Sequence, residues 1–515
     1  MTLDATTRAH LIATCSRLPE PEEADRLPAG TGWLEVRSDL AGEPEVAAAQ
    51  ALARRVPGGL VYTLRSRAEG GSGPDAPAAR SARLLRAATL AGENGPVYAL
   101  VDLEAGRDLR PEVLEAVPPE RRILSWHGPA TPAAEIEARL ESMAETPARL
   151  YKAVTAASAP GEELAPLHAL ARWTRRAGSA HRDAVAFATG PSGLWTRLVA
   201  PRLGAPVVYG AFPGGEPGAP GQPSVDRLAE DYGLPELPPA EALFGVVGRP
   251  VTHSLSPRLH NRAYRALGVP ALYVAIHAEH FGDFWLEVVE GGRLDELGLP
   301  LRGLSVTAPH KEAALAVAGA PSPRAQAVGA ANTLVESGGV WEAESTDPEG
   351  VVLPVRRLGV ELADAPVAVV GAGGAGRSAV VGLRDAGARV VLVNRSEERG
   401  RDAAGRLGVP FVPLDDFDPG AHAVVVHATT LGRRADDPLP FDPGRLRSDA
   451  VVVDLVYGEG GTALLDATRA AGRRTVDGRE VLLYQALEQF RMMTGRELPL
   501  DLAREALGLP REEAA

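Results

Sequence analysis

Ala148-Arg-Leu-Tyr-Lys152-Ala-Val154 is a short apolar run of strand-forming residues with a lysine in its middle. Lysine is scarce in this chain: of 54 Lys and Arg residues, only Lys152 and Lys311 are lysines. Positions that need nothing but positive charge are filled with arginine. An arginine is never deprotonated in a protein, whereas a desolvated amine can become a nucleophile or pass a proton. Drift in an arginine-rich composition would also leave an occasional lysine. Each is nevertheless a candidate for chemistry that arginine cannot perform, and the two lie in different halves of the chain.

Outward from Lys152, apolar runs alternate with helical segments bearing Arg and Glu. The runs are residues 10–15, 33–37, 60–65, 97–103, 123–126, 149–154, 184–188 and 206–209, with helices such as 78–91 and 132–143 between them. Eight strand–helix repeats predict an α/β fold, an N-terminal (β/α)8 TIM barrel. A doubly wound sheet has the same alternation, because periodicity does not show closure. Glu35 and Arg37 fall late in the second run, and Arg65 ends the third, with Glu69 just beyond. His127 follows the fifth, Lys152 is late in the sixth, Arg197 follows the seventh, and Gln222 lies in the Pro/Gly-rich loop after the eighth. Barrel active sites are built at the C-terminal ends of the strands. Near Arg37 and Arg65, burial and like charge would lower the pKa of the Lys152 amine, which could then form a Schiff base with a ketone. His127 is the expected general acid/base, with Glu69 orienting it.

Thr63-Leu-Arg-Ser-Arg-Ala-Glu69-Gly-Gly, Ser125-Trp-His127, Lys152 and Ala219-Pro-Gly-Gln222 together resemble type I 3-dehydroquinate dehydratase, in order and spacing, over roughly residues 8–232. The resemblance implies that Lys152 makes an imine with a ring ketone and that His127 removes the adjacent proton. Water is then lost, and imine hydrolysis releases 3-dehydroshikimate. It also implies that Glu35, Arg37, Arg65, Arg197 and Gln222 hold the substrate, Arg197 through its carboxylate. Two positions depart from the family pattern. Gly128 follows the histidine where Asp is usual, and Gly218 stands where a Ser is expected.

Residues 234–240, Leu-Pro-Glu-Leu-Pro-Pro-Ala, predict a stiff extended connector. Beyond it, Ser254 and Ser256 are hydroxyls at alternate positions before a helix opened by Pro257. They suit a polyhydroxylated ligand and equally an ordinary helix cap. Lys311 follows in Leu304-Ser-Val-Thr307-Ala-Pro-His-Lys311, with Gly329-Ala-Ala-Asn332 and Ser345-Thr-Asp347 after it. A short apolar strand then runs into Gly371-Ala-Gly373-Gly374-Ala375-Gly376, followed by a helix and a second strand. Such a loop lets the backbone approach a pyrophosphate at a helix N-terminus. Where an acidic residue would meet a ribose hydroxyl stand Asn394-Arg395-Ser396, with Arg399 beyond. Two guanidinia suit a 2′-phosphate, so the expected cofactor is NADP rather than NAD. Gly478, before the last long helix, is also placed on the cofactor side.

These pieces resemble shikimate dehydrogenase over about residues 244–507. The resemblance implies a two-lobed domain with a Rossmann-type NADP-binding lobe. Ser254, Ser256, Thr307, Asn332 and Gln485 would hold shikimate. Lys311 and Asp347 would be the catalytic pair, moving the hydroxyl proton as hydride passes between nicotinamide and ring carbon. The departures are Ser305 and Ser345, where Asn is common, and His427, which replaces the Asn that opens an Asn-x-Thr motif.

A length of 515 residues predicts two or three domains. The expected division is a barrel at 1–233, a linker at 234–242, a substrate lobe at 243–350, an NADP lobe at 351–480, and helices at 481–515 that pack back on the substrate lobe. Net charge is −13 with no long basic run, so neither nucleic acid nor anionic membrane is an expected partner. Cys15 is the only cysteine, which excludes an intrachain disulfide and a Cys-rich metal site; no metal is expected. No basic-then-apolar leader and no long apolar run is present, which predicts a cytoplasmic protein. The expected function is a fusion of consecutive steps: dehydration of 3-dehydroquinate, then NADPH-dependent reduction of 3-dehydroshikimate to shikimate. The partners are those small molecules, and the sequence gives no oligomeric state. A catabolic quinate-oxidising enzyme would favour NAD, against Arg395 and Arg399. A non-catalytic ligand sensor would need neither the lysines nor Asp347.

Overall fold

The computed structural model describes residues 7–92, 95–177, 183–219, 221–432, 434, 436–457 and 461–511. The chain falls into two compact units: Met1–Leu243 with Pro250–His253 and Tyr264–Leu301, and Phe244–Arg249 with Ser254–Ala263 and Arg302–Ala515.

The first unit begins with β1 (His10–Cys15), β2 (Thr31–Arg37) and β3 (Leu60–Thr63). A separate antiparallel pair of two-residue strands follows, β4 (Ala91–Gly92) and β5 (Gly95–Pro96). Then come β6 (Tyr98–Glu104), β7 (Arg122–Gly128), β8 (Leu150–Ala156), β9 (Ala184–Thr189) and β10 (Val207–Ala211). The eight longer strands are hydrogen-bonded in the order β10-β1-β2-β3-β6-β7-β8-β9, a nearly closed parallel barrel. Each predicted apolar run overlaps one of them. Leu11, Leu34, Val61, Val101, Leu124, Ala153 and Ala186 are fully buried, as expected of parallel strands with helices outside and side chains filling the centre. Register pairs Ser125 with Lys152 and His127 with Val154. Because successive side chains alternate in direction, these four share one face.

The proline-rich segment is not extended throughout: it opens in a turn at Leu234 and Pro235, whose peptide bond is cis, and it is hydrogen-bonded to the barrel's first residues. The Ala9 N–H donates to the Pro235 carbonyl at 2.8 Å, and the Leu237 N–H donates to that of Thr7 at 2.8 Å. Beyond it are β11 (Ala242–Gly248), in the second unit from Phe244 onward, and β12 (Ala271–His277) of the first.

Among its described residues the second unit contains two sheets. One holds β13 (Leu301–Val306), β14 (Ala320–Pro321), β15 (Thr333–Ser337) and β16 (Val340–Glu344), in the order β11-β13-β15-β16-β14. The pairs β13–β15 and β15–β16 are antiparallel. The other is parallel, built from β17 (Pro366–Val370), β18 (Arg389–Asn394), β19 (Phe411–Pro413), β20 (Val424–His427), β21 (Val451–Asp454) and β22 (Arg474–Val476). Its order, β19-β18-β17-β20-β21-β22, is that of a dinucleotide-binding fold, with the switch point between β17 and β20. Val367, Val369, Val424 and Val426 pack on one face, Ala368, Val370, Val425 and Val452 on the other. Burial on both faces explains why these strands read as unbroken valine runs.

Among the described residues no helix is long and apolar enough to cross a membrane. No cluster of His, Cys, Asp and Glu among them could hold a metal ion.

Candidate active sites

The C-terminal ends of the barrel strands surround a cavity of about 1060 Å³. Lys152 is buried on β8, with Nζ 3.8 Å from Glu35 Oε1, 3.8 Å from Asp102 Oδ2 and 3.8 Å from the centre of the Tyr209 ring. Burial lowers the amine's pKa; the two carboxylates oppose this, and Arg65 and Arg37 add to it. Glu69 Oε2 accepts the His127 backbone N–H at 3.0 Å and stands 3.3 Å from ring Nδ1. When Glu69 is ionised it can accept Nδ1–H, which leaves Nε2 as the basic nitrogen. Burial, with the charges of Arg65, Lys152 and Arg37, holds this imidazole well below its ordinary pKa. The Glu69 carboxyl is pushed up to about 7, chiefly by burial.

The expected anion-binding arginines differ in what they already hold. Arg65 donates to Glu69 Oε2 at 3.1 Å, Asp102 Oδ2 at 3.1 Å, Glu104 Oε1 at 3.4 Å and Ser125 Oγ at 3.0 Å. Arg37 grips Asp39 through two bonds of 2.9 and 2.8 Å and donates to the Gly218 carbonyl at 3.1 Å. Arg197 donates once, from Nη1 to the Tyr209 carbonyl at 3.0 Å, while its Nε and Nη2 are buried without a hydrogen-bond partner among the described residues. Burial lowers its pKa to about 10, so it stays cationic at neutral pH. A carboxylate is the natural partner for two such N–H groups. Glu35 accepts from Thr14 Oγ1 at 2.7 Å and Thr63 Oγ1 at 2.9 Å, and Gln222 Oε1 accepts the Gly218 N–H at 3.1 Å. Pro220, in the motif that ends at Gln222, lies outside the described residues.

Sequence reasoning missed Asp102 and Glu104. An acidic pair at alternate positions of the otherwise apolar β6 was the available signal. The two glycine departures have a steric basis. A Cβ on Gly128 would lie 2.1 Å from the Trp126 ring, and one on Gly218 would lie 2.8 Å from Thr14 Cγ2.

In the second unit, Lys311 opens the helix Lys311–Val317 and Asp347 opens the helix Asp347–Arg357, with Nζ 2.5 Å from Oδ2. Asn332 Nδ2 donates to Asp347 Oδ1 at 2.7 Å and to Thr346 Oγ1 at 3.0 Å. Gln489, on the helix Gly478–Thr494, donates to Thr333 Oγ1 at 3.1 Å and accepts from Ser305 Oγ at 3.0 Å. The structure thus brings Gln489 into this network. Gln485, one turn earlier, is partly buried, and its amide has no hydrogen bond among the described residues. Ser254 and Ser256 are buried, and Ser254 Oγ accepts the Ser256 N–H at 3.2 Å. The Thr307 N–H donates to the Val247 carbonyl at 2.9 Å. Ser345 Oγ is 3.1 Å from Ser378 Oγ.

Beyond β17 the chain turns through Gly371, at φ +120°, where a Cβ would lie 2.7 Å from the Ala428 carbonyl. A Cβ on Gly376 would lie 1.9 Å from the Gly371 carbonyl, so this loop is closed to side chains. Gly373 caps the helix Gly374–Asp385 and faces open space, Ala375 lies in the first turn, and Gly374 leaves room for the Lys311 stem. Asn394 Oδ1 accepts the Ala372 N–H at 3.2 Å, and its Nδ2 donates to the Ser396 carbonyl at 2.8 Å. Arg395 and Arg399 are exposed, and neither guanidinium has a partner among the described residues. A bare loop at a helix N-terminus with two free guanidinia fits a dinucleotide carrying an extra phosphate. Gly478 lies where a Cβ would meet the Val456 carbonyl at 2.6 Å. His427 is buried and held at both nitrogens: Nδ1 is 2.9 Å from Asp454 Oδ1 and Nε2 is 2.6 Å from Thr429 Oγ1.

Comparison with known families agrees with this geometry. Residues 14–237 match the family described as type I 3-dehydroquinase. Residues 246–334 match the shikimate dehydrogenase substrate binding domain, and residues 478–507 the shikimate 5′-dehydrogenase C-terminal domain. The shikimate dehydrogenase (NADP(+)) of Methanothrix thermoacetophila is 36% identical over 267 residues, covering 52% of this chain and 96% of the relative. That of Halobacterium salinarum is 40% identical over 268 residues, covering 52% and 98%. The chloroplastic bifunctional 3-dehydroquinate dehydratase/shikimate dehydrogenase of Arabidopsis thaliana is 30% identical over 352 residues, covering 65% of this chain and 57% of that one. The chain therefore belongs to the shikimate dehydrogenase family, and it combines a shikimate-dehydrogenase-like domain with a dehydroquinate-dehydratase-like domain that precedes it.

Proposed function

We propose that the chain dehydrates 3-dehydroquinate to 3-dehydroshikimate in the barrel and reduces that product to shikimate with NADPH in the second unit. On this reading residues 1–233 are the dehydratase, 243–350 the shikimate-binding lobe and 351–480 the NADP lobe, with 481–515 returning to the substrate lobe. The observation that carries the first half is a buried amine of lowered pKa in a cavity that also holds an unsatisfied guanidinium, Arg197. Arg197 takes the substrate carboxylate, and Glu35, Arg37, Arg65 and Gln222 shape the pocket around the ring. Lys152 attacks the ketone, and the resulting iminium acidifies the neighbouring C–H. His127 Nε2 takes that proton and returns one to the departing hydroxyl, with Glu69 fixing the ring.

In the second unit, Ser254, Ser256, Thr307, Asn332 and Gln485 hold the ring hydroxyls. Lys311, fixed by Asp347, exchanges a proton with the reacting oxygen. NADPH supplies hydride when bound. Gly371, Gly373, Gly374, Ala375 and Gly376 leave backbone open to its pyrophosphate. Arg395 and Arg399 take the 2′-phosphate on a turn shaped by Asn394 and Ser396, and Gly478 lets the last long helix start close to β21.

The test is direct. Dehydroquinate alone should give the absorbance of a conjugated enone, and added NADPH should then be oxidised. Borohydride given with dehydroquinate should add mass to Lys152. An active enzyme with Lys152 unmodified would contradict the Schiff-base route.

A further inference from the structure

Tyr209 stands on β10, 3% exposed, and lines the barrel cavity. The Lys152 amine lies 3.8 Å from the centre of its ring. Among the described residues, the only cavity-lining side chains with buried polar atoms lacking a hydrogen-bond partner are Arg197, at Nε and Nη2, and Tyr209, at its hydroxyl. The two residues are joined, since Arg197 Nη1 donates to the Tyr209 carbonyl.

We propose that Tyr209 is a further catalytic residue of the barrel: its ring face stabilises the cationic nitrogen of the Lys152 adduct, and its phenol donates a hydrogen bond to a substrate oxygen. The proposal rests on the Schiff-base reading of Lys152. In that step the neutral amine forms a C–N bond as the carbonyl π pair moves to oxygen and is protonated. The nitrogen then loses one proton, a second proton makes the oxygen a leaving water, and the C–O bond breaks as the nitrogen lone pair closes C=N. Amine, ketone and one proton thus give an iminium and one water. The product nitrogen carries a positive charge that neither the neutral amine nor the ketone group had, inside a cavity where charge is poorly solvated. An aromatic face within about 6 Å of a cation offsets that desolvation, most strongly where water is excluded.

A phenylalanine would offer the same face, so the hydroxyl needs its own account. A buried hydroxyl without a partner is costly to keep. Burial, with the nearby carboxylates Glu35 and Asp102, raises the phenol's pKa well above its ordinary value, so it remains a donor at neutral pH. An oxygen adjoining the carboxylate held by Arg197 would complete it.

The experiment uses the full chain with Tyr209→Phe and with fluorinated phenylalanines at the same position, which weaken the ring face while keeping its shape. Borohydride trapping of the Lys152 adduct at saturating dehydroquinate is read by intact mass. Trapping should be alike in the native chain and Tyr209→Phe, then fall stepwise with fluorination, by about 10- to 30-fold across the series. For Tyr209→Phe, KM should rise about tenfold. Trapping that ignores fluorination would overturn the role of the ring, and an unchanged KM in Tyr209→Phe would overturn that of the phenol. A native chain that traps no substrate would instead overturn the Schiff-base reading, and this proposal with it.

Discussion

Arg65 and Arg197 are both buried guanidinia in one cavity, yet removing them should have opposite consequences. Arg65→Ala takes from Glu69, Asp102 and Glu104 the guanidinium that is paired with all three. Breaking such a buried network costs about 3–5 kcal/mol, so this variant should melt at a clearly lower temperature. Arg197→Ala gives up one hydrogen bond and a cation–π contact with Phe187, but also removes a buried charge with unsatisfied N–H groups, so it should lower melting much less. It should raise KM for dehydroquinate about 10- to 100-fold, the worth of a charge-assisted contact. Glu69 sets a third expectation. Its carboxyl, pushed up to about 7, must be ionised to accept Nδ1–H from His127. Dehydratase kcat/KM should therefore fall as pH drops through about 7, and in Glu69→Gln that acid limb should vanish. A Glu69→Gln profile with the limb intact would assign it to another group. His127, Lys152 and Glu69 were legible because their residue types carry chemistry at strand ends. Tyr209 was not, because it reads as an ordinary member of its strand until the barrel curls it toward the amine, and Asp102 was overlooked although an acid in an otherwise apolar strand was there to see.

At the scale of elements, the barrel strands and β17, β18, β20 and β21 were legible to within a few residues, since burial on both faces demands unbroken β-branched and aliphatic runs, whereas β12, β15 and β16 were not. Helix faces were less so. Gln485 and Gln489 are one turn apart on the same side of one helix, and only packing shows which of them reaches Thr333 and Ser305. Glu163, just before the helix Leu164–Ala177, was invisible to motif reasoning. It is buried, its Oε2 has no partner among the described residues, and burial pushes its carboxyl up to about 7. A folded-state value above the ordinary 4.5 means that the folded form holds the proton more tightly. The associated stability is complete below about 4.5 and is lost as pH rises through about 7. Melting temperature should therefore decline from pH 5 to pH 8, and Glu163→Gln should flatten the decline by raising the value at pH 8. A variant whose melting temperatures parallel the native ones at both pH values would refute this.

For the molecule as a whole, the decisive comparison is between the two lysines. Lys152→Arg keeps the charge and removes the nucleophile, so dehydratase activity should be abolished. Lys311→Arg also keeps the charge but cannot exchange a proton near neutral pH, so dehydrogenase turnover should fall about 10²–10⁴-fold. Each variant should retain most of the other activity, because the two lysines lie in different compact units. Near-normal dehydrogenase turnover in Lys311→Arg would show that position 311 requires charge alone.

The rarity of lysine also makes both residues reporters. Lys152 is 4% exposed, and the Lys311 side chain is 14% exposed against Asp347. Chain termini aside, an amine-directed acylating reagent has two targets, so acylation at 152 reports on the barrel cavity and acylation at 311 on the second unit. A lysine-specific endoprotease has just two cleavage points for the same reason, and its fragment pattern would show which half of the chain gives way first under heat or denaturant.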